Sequence, residues 1–287
     1  MRNRILVCYY FRLSKIISSV EIIMPKIPSE RTWGLPKGGD QFVEAFARGL
    51  AVIRAFGPGH QALTLSEVAQ RANLTPAGAR RLLYTLVTLG YARTEERRFS
   101  LAPAVLELGY AYLSSLSWRD IARHAVEEFM RDTGEICTVS VLDGEDVVYV
   151  ARAEMPSPLS RRLGVGERLP THATSSGHVL LAGASVQERE LFIAKAPFAR
   201  HTQHTLVEAA ELRQAIEDAA KAGYALASEH LELGICGLAV PIKDERGRVV
   251  AALTTSLNLA RHERAEIVGK FLQKMRGTAE QISVALA

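Results

Sequence analysis

The stretch Leu63-Thr64-Leu65-Ser66-Glu67-Val68-Ala69-Gln70-Arg71-Ala72-Asn73-Leu74-Thr75-Pro76-Ala77-Gly78-Ala79-Arg80-Arg81-Leu82-Leu83-Tyr84-Thr85-Leu86 decides how the front of the chain folds. Ser66 is placed to cap a short helix whose small apolar face is Val68, Ala69 and Ala72. Asn73-Leu74 then makes a tight turn. Thr75 caps the next helix, Pro76–Leu89, with Pro76 at the first position, where a missing N–H costs nothing. Ala79, Leu82, Leu83 and Leu86 share one face and are expected to be buried. Ala77, Gly78, Arg81, Tyr84 and Thr85 lie opposite, with Arg80 at the flank. Helix, short turn and a second helix with small, Arg-bearing leading residues form the helix-turn-helix pattern. The first turns of such a helix enter the major groove. There Thr75 and the helix N-terminus meet phosphate, and an arginine bonds guanine bidentately.

Upstream, Phe42, Phe46, Leu50, Ile53 and Ala55-Phe56 recur at helical spacing, and Gly57-Pro58-Gly59 stops that helix. Downstream, Gly90 ends the recognition helix. Tyr91–Thr94 and Arg98–Leu101 read as a hairpin over the polar turn Glu95-Glu96-Arg97, which places Arg93, Arg97 and Arg98 on a wing near phosphate or the minor groove. Three short helices with surface arginines also make ordinary interaction domains, so the charge distribution matters. Residues 1–110 hold 15 Lys+Arg against 8 Asp+Glu, and residues 111–287 hold 20 against 23. A basic front and a mildly acidic back suit a front domain that meets a polyanion.

The chain has 287 residues, enough for two domains, and is 48% hydrophobic and 23% charged, which excludes wholesale disorder. No apolar run approaches the roughly 20 residues of a membrane-spanning helix. The three cysteines, Cys8, Cys137 and Cys236, lack paired spacing, so no disulfide framework or Cys-rich zinc site is expected and a cytoplasmic location is. Residues 1–40 carry Arg2, Arg4, a short apolar run and then Pro25, Pro28, Pro36, Gly38 and Gly39. They read as a flexible or spurious extension rather than a signal peptide or a basic DNA-binding arm. Met24 is an alternative start that would make residues 1–23 an artefact of translation.

Residues 103–117 form a linker helix, Ala104–Leu113, apolar most of the way round. It is expected to bury one face on a neighbour or a second subunit. Paired half-sites on DNA also call for a dimer. From Trp118 the pattern turns to α+β. A helix covers Ile121–Thr133, and strands Ile136–Leu142 and Asp146–Ala151 meet at Asp143-Gly144. Leu163–Leu169 is a further strand candidate. Helices follow at Ser176–Ala182, Val186–Ala194 and Glu208–Ala222. Strands Cys236–Lys243 and Arg248–Leu257 and a closing helix, Ala265–Leu286, complete residues 118–287.

Thr174-Ser175-Ser176-Gly177 lacks the glycines of a nucleophile elbow. Its hydroxyls and free N–H groups at a helix start offer a site for a small carboxylate, and plain N-capping by a serine is the alternative. His201 and His204 have helical metal-pair spacing but no acidic partner, so a surface loop is expected. His172 and His178 read as structural hydrogen-bonding residues. Gly164-Val165-Gly166 reads as a turn rather than a phosphate loop. Thr254 and Ser256 share one sheet face. With no paired acid and base, no metal cluster and no activated nucleophile, neither an enzyme nor any cofactor or metal is expected.

Phe46-Ala47-Arg48-Gly49-Leu50, Leu65–Ala69, Arg80–Leu86, Leu89-Gly90-Tyr91, Arg168–Gly177 and Glu229–Gly234, in that order and spacing, resemble the IclR-type bacterial transcriptional regulators from about Phe42 to Ala287. The resemblance implies a winged helix-turn-helix over 41–102 and a GAF-like mixed α/β effector-binding domain over 118–287. It also implies a homodimer or homotetramer that binds double-stranded operator DNA and a small organic acid effector. Carried over, the effector pocket takes Ser175 and Ser176 before the helix, Gly237 on the hairpin, and Thr254 and Ser256 on its return strand. Ser175-Ser176 replaces a smaller pair, Gly237 stands where a cysteine is found, and Ala227 where an aspartate is found. Those departures point away from two-to-three-carbon acids. The Ala79-Arg80-Arg81 and Thr174–Gly177 segments are similar to the subgroup controlling protocatechuate and para-hydroxybenzoate degradation, which implies an aromatic acid.

Overall fold

A computed structural model describes residues 42–57, 59–155 and 164–286. The expected extension, Cys8, Pro58 and Leu163 lie outside the described residues. The front half carries α1 (Glu44–Arg54), β1 (Ala62–Thr64), α2 (Leu65–Arg71), α3 (Pro76–Thr88), β2 (Ala92–Glu95) and β3 (Arg98–Leu101). Val52, Leu63, Val68, Leu83 and Phe99 meet in one small core. Of the expected α3 face, Ala79, Leu83 and Leu86 are buried and Leu82 is half-buried. Phe46 on α1 is exposed instead, because Ala51, Val52 and Ala55 supply the face turned to the core.

Local chemistry explains the boundaries. Thr64, not Ser66, caps α2: its hydroxyl accepts the Glu67 N–H at 3.3 Å, while the Glu67 carboxylate accepts the Thr64 N–H at 2.7 Å. Only a cap at position 64 puts a glutamate three residues on, where the reciprocal bond closes. Asn73 turns at a positive φ of 52°, and Thr75 caps α3 by accepting the Gly78 N–H at 3.2 Å. β1 escapes the sequence pattern because three residues are too few to show alternation. It pairs antiparallel with β3, and β3 with β2. The β2–β3 turn is Glu96-Arg97, both at positive φ, and Glu95 pairs with Arg98.

After a 3₁₀ turn (Pro103–Val105) and α4 (Leu106–Leu113) come α5 (Arg119–Thr133), β4 (Ile136–Asp143), β5 (Asp146–Ala153), β6 (Arg168–Pro170) and a 3₁₀ turn, Thr171–Ala173. Then follow α6 (Ser175–Gly183), α7 (Val186–Ile193), α8 (Ala209–Ala222), β7 (Ala225–Ser228), β8 (Ile235–Lys243), β9 (Val249–Asn258) and α9 (Arg264–Val284). The six strands order as β6-β5-β4-β9-β8-β7, every neighbouring pair antiparallel. One sheet face packs Cys137, Val139, Leu238 and Leu253 against Phe129 of α5 and Phe271 and Met275 of α9. The other packs Val147, Tyr149, Ala239 and Ala252 against Val179 and Leu180 of α6 and Ala219 of α8. This is the expected α+β class, a winged helix-turn-helix followed by a GAF-like mixed α/β domain. One strand reading changes and one strand escapes the sequence pattern. The described part of the 163–169 candidate is a turn at Val165-Gly166 and a three-residue strand, and β7, absent from the sequence reading, is an edge strand too short and Ala-rich to stand out.

The close seating of α6 fixes this half. A Cβ on Gly177 would lie 1.9 Å from the Thr171 carbonyl oxygen, so backbone approaches backbone there. Gly277 on α9 faces open space. Gly177→Ala is expected to destabilise the protein by about 3 kcal/mol or prevent folding. Gly277→Ala is expected to stabilise it by about 0.5–1 kcal/mol through helix propensity alone. Urea unfolding of both variants checks the pair, and a tolerated Gly177→Ala would contradict the close approach.

Candidate functional site

Two surfaces collect the residues singled out in the sequence. On the front half, Arg80, Arg81, Tyr84, Thr85, Thr88 and Leu89 form one shallow face of α3. The Arg80 guanidinium carbon lies 5.7 Å from the Tyr84 ring centre, and that ring meets Phe99 of the wing edge-on at 6.2 Å. Cation–π and edge-to-face contacts of this kind fix the ring against the wing. Ala77, Arg81, Thr85, Arg93 and Arg97 are exposed and Gly78 is half-buried. The Thr75 hydroxyl is engaged as the cap, and Thr85 Oγ1 donates to the Arg81 carbonyl at 2.9 Å. Arg98 braces the wing instead. It donates to the Ala62 carbonyl at 3.1 Å and sits 3.6 Å from the Glu67 carboxylate, tying the wing to α2.

In the back half a cavity of about 500 Å³ opens between the sheet and the start of α6. Strand register builds its floor. Ile136 pairs with Ser256, Ser256 with Gly237 and Gly237 with Ala227, and all four line the cavity. Directly paired residues of antiparallel strands share a face. The next row, Arg152–Thr138–Thr254, contributes Arg152 and Thr254 to the lining. Ser175 and Ser176 form part of the roof, while Gly177 does not line the cavity.

That last point corrects the reading of the α6 entrance. The cap is Thr174, whose Oγ1 accepts the Gly177 N–H at 3.1 Å, so Ser175 and Ser176 lie inside the first helical turn rather than before it. The Gly177 amide is already engaged and its α-carbon faces Thr171. Thr174 has the extended φ of −127° that a cap needs, and the serines behind it are helical.

Tyr149, Arg152, Glu154, Glu135, His230 and Arg261 also line the cavity, and the sequence pattern alone does not single them out. Arg152 depends on an irregularity in β5. Val139 pairs with Ala151 and Ser140 with Tyr149, leaving Val150 as one extra residue. Val150 and Ala151 both enter the core facing α5 and α9, so alternation skips a beat and Tyr149 and Arg152 emerge on the same face. The Arg152 side chain is 7% exposed. Its Nη2 donates to Glu154 at 2.6 Å, its guanidinium carbon lies 5.7 Å from the Tyr149 ring centre, and its buried Nε–H has no acceptor. His230 Nδ1 and Thr254 Oγ1 are likewise buried without a partner. One signal does exist in the sequence. A single arginine inside Val147-Val148-Tyr149-Val150-Ala151-Arg152-Ala153 is a charge in a buried strand, and such charges are seldom there for packing.

The histidines divide by environment. His172 Nε2–H donates to the Ala199 carbonyl at 2.9 Å, and its ring stacks on Phe198 and His201. His178 Nε2–H donates to the His172 carbonyl at 2.8 Å. His204 is exposed and sits 3.7 Å from Glu229. No group of side chains able to hold a metal ion occurs among the described residues. Burial pushes the imidazoles of His178 and His230 down to about 4, and those of His172 and His201 down as well.

Two measurements follow from this geometry. A folded-state pKa below the unfolded one means that the native protein binds fewer protons. The histidines' share of stability is therefore complete above the ordinary imidazole range and is lost as pH falls from about 6.5 towards 4. Denaturant midpoints are expected to be level near neutral pH and to fall through that window; a level profile down to pH ~4.5 would contradict the neutral buried cluster. In the cavity, a Cβ on Gly237 would lie 2.7 Å from Ser175 Oγ. Gly237→Ala is expected to destabilise the protein alone and to be nearly neutral beside Ser175→Ala, a coupling of about 0.5–1 kcal/mol in a double-mutant cycle.

Comparison with known proteins covers both halves of the chain. Residues 45–96 match the model of the IclR helix-turn-helix domain, and residues 110–284 match that of the bacterial transcriptional regulator IclR C-terminal region. The chain is 36% identical over 236 residues to the Pca regulon regulatory protein of Pseudomonas putida, covering 82% of this chain and 81% of the relative. It is 33% identical over 251 residues to the p-hydroxybenzoate hydroxylase transcriptional activator of Acinetobacter baylyi, covering 85% and 92%. A solved IclR homolog from Microbacterium hydrocarbonoxydans, complexed with 4-hydroxybenzoate, superposes with a TM-score of 0.74 at 29% identity, covering 84% of this chain and 98% of that one. The chain belongs to the IclR family of bacterial transcriptional regulators.

Proposed function

We propose that this regulator reads paired operator half-sites with residues 41–102, linked through 103–117 to a sensor, residues 118–287, that binds a small aromatic acid. The observation that carries the sensor reading is the back-half cavity, with buried hydrogen-bonding atoms of Arg152, His230 and Thr254 left without protein partners. Buried polar groups in native proteins are satisfied, so these atoms call for a ligand. The aromatic character is supported by the apolar part of the lining, Ile136, Tyr149 and Leu169, and by 4-hydroxybenzoate in the Microbacterium homolog. Ser175, Ser176, Thr254 and Ser256 with Gly237 form the proposed effector contacts, and Gly177 is a packing residue.

On DNA, Arg80, Arg81, Tyr84 and Thr85 read the major groove, with Thr75, Ala77 and Gly78 close to the backbone. Arg93 and Arg97 meet phosphate from the wing, and Arg98 acts by holding the wing in place. Leu106, Leu108, Tyr110 and Tyr112 of α4 are each at least half exposed, an apolar surface suited to pairing with a second copy. A homodimer or homotetramer in the cytoplasm fits. No helix among the described residues is long and apolar enough to cross a membrane. Effector binding acts only through a difference in affinity between two subunit arrangements, which changes the spacing of the recognition helices.

The test is binding of the full chain to the promoter region beside its gene at fixed salt, with and without 4-hydroxybenzoate and protocatechuate. A specific complex that shifts with one of them is expected. Specific binding that ignores both would remove the aromatic effector, and turnover of either acid would favour an enzyme. Arg81→Ala is expected to weaken specific binding about tenfold or more without changing stability. Arg98→Ala is expected to lower both, since it also frees the wing.

A further inference from the structure

The shallow face of α3 holds its arginine side chains by different means. Tyr84 follows Arg80 by one helical turn, so the two side chains share a face, and long side chains on a helix lean towards its N-terminus. The Tyr84 ring reaches back towards Arg80, whose guanidinium carbon is 5.7 Å from the ring centre. The ring is anchored on its other side. It meets Phe99 at 6.2 Å with the two planes 83° apart. Phe99 is a core residue of β3, the middle strand of its sheet, paired with Leu63 on one side and Thr94 on the other. Half of Tyr84 stays exposed. A ladder of Phe99, Tyr84 and Arg80 therefore runs from the core of the front half to its surface.

The threonines of this face are engaged within the helix. Thr85 Oγ1 donates to the Arg81 carbonyl and Thr88 Oγ1 to the Tyr84 carbonyl, each at 2.9 Å. Their protons are spent, and a guanine edge offers two acceptors, N7 and O6, that a guanidinium fork matches together. A ring steers a guanidinium without claiming its N–H fork. Arg98 shows the other case, with its guanidinium committed to the Ala62 carbonyl and the Glu67 carboxylate. Reading a guanine needs two N–H groups aligned with the base, so ordering the side chain before binding lowers the cost of the contact. A phosphate contact carries no sequence information and asks for no such alignment.

We propose that Tyr84 is a positioning residue: it holds Arg80 ready for a guanine in the major groove, and Arg80 sets the base preference of each half-site. Phe99 extends the hold to the wing sheet, so the wing orders a base contact that it does not itself make. The proposal rests on α3 being the helix that reads DNA.

The test is operator binding by the full chain at several salt concentrations, on the promoter site beside its gene and on copies with each base pair changed in turn. Replacing one G·C pair in each half-site by A·T is expected to cost the wild-type chain about tenfold in affinity. Arg80→Ala is expected to abolish that preference. Tyr84→Leu is expected to lower it to about threefold with the salt slope unchanged, while Tyr84→Phe, which keeps the ring, retains it. Once Arg80 is alanine, Tyr84→Leu is expected to remove no further preference, a coupling that loss of structure alone would not give. Should Tyr84→Leu fail to fold, Tyr84→Gln makes the same comparison. A specific site indifferent to its G·C pairs overturns the proposal and leaves α3 as the reading helix. So does a preference that survives Arg80→Ala or Tyr84→Leu, one that falls equally in Tyr84→Phe, or a loss in Tyr84→Leu that comes through the salt slope. Failure of the wild-type chain to bind the site specifically overturns the DNA reading and this proposal with it.

Discussion

The back half depends on how closely α6 lies on the sheet. Gly177 brings its backbone onto the Thr171 carbonyl, and a Cβ on Gly183 would meet the Val249 side chain at 2.3 Å. Small residues answer on the sheet, with Ala239 and Ala252 beneath the helix. A larger side chain at any of these places would lift the helix start, and with it Ser175 and Ser176, away from the strand rows below. The depth of the cavity is therefore a packing result before it is a binding one. Close packing of this kind transmits a local change rather than absorbing it, because dense interiors compress little.

Much of this is legible from residue order. Thr75-Pro76 marks the start of the recognition helix, Gly90 and Gly134 its end and that of α5, and the Asp143-Gly144 and Asp244–Gly247 turns locate the β4–β5 and β8–β9 hairpins. These signals are local: a cap or a positive φ belongs to one or two residues and needs no tertiary information. β1 and β7 are not legible, because their reason for being strands lies in the partner, β3 for one and β8 for the other. Thr64 outcompetes Ser66 as a cap through one glutamate at the right distance, a difference of spacing between two equally suitable hydroxyls.

The cavity is half legible. The hydroxyls of Ser175, Ser176, Thr254 and Ser256 can be gathered because each follows an ordinary helical or alternating pattern. Arg152 cannot, since strict alternation from Val147 and Tyr149 would send it to the opposite face. Helix entry geometry also misleads: a serine pair ahead of glycine looks like a capping site, and the true cap is one residue earlier, at Thr174. The arginines proposed to meet DNA show the converse. All are exposed and charged, and only the tertiary contacts of Arg98 with Ala62 and Glu67 separate a residue that braces the wing from those left free to meet a partner.

The extra residue in β5 has a wider consequence. Val150 contributes nothing to the cavity itself; its side chain is in the core on the far side of the sheet. What matters is that the position exists. Many apolar residues would serve there, but a strand one residue shorter would carry Arg152 into an apolar core and out of the cavity. Selection at this place acts on length, not identity, so two relatives can agree at every lining residue and still differ in chemistry by a single deletion that no comparison of side chains would reveal.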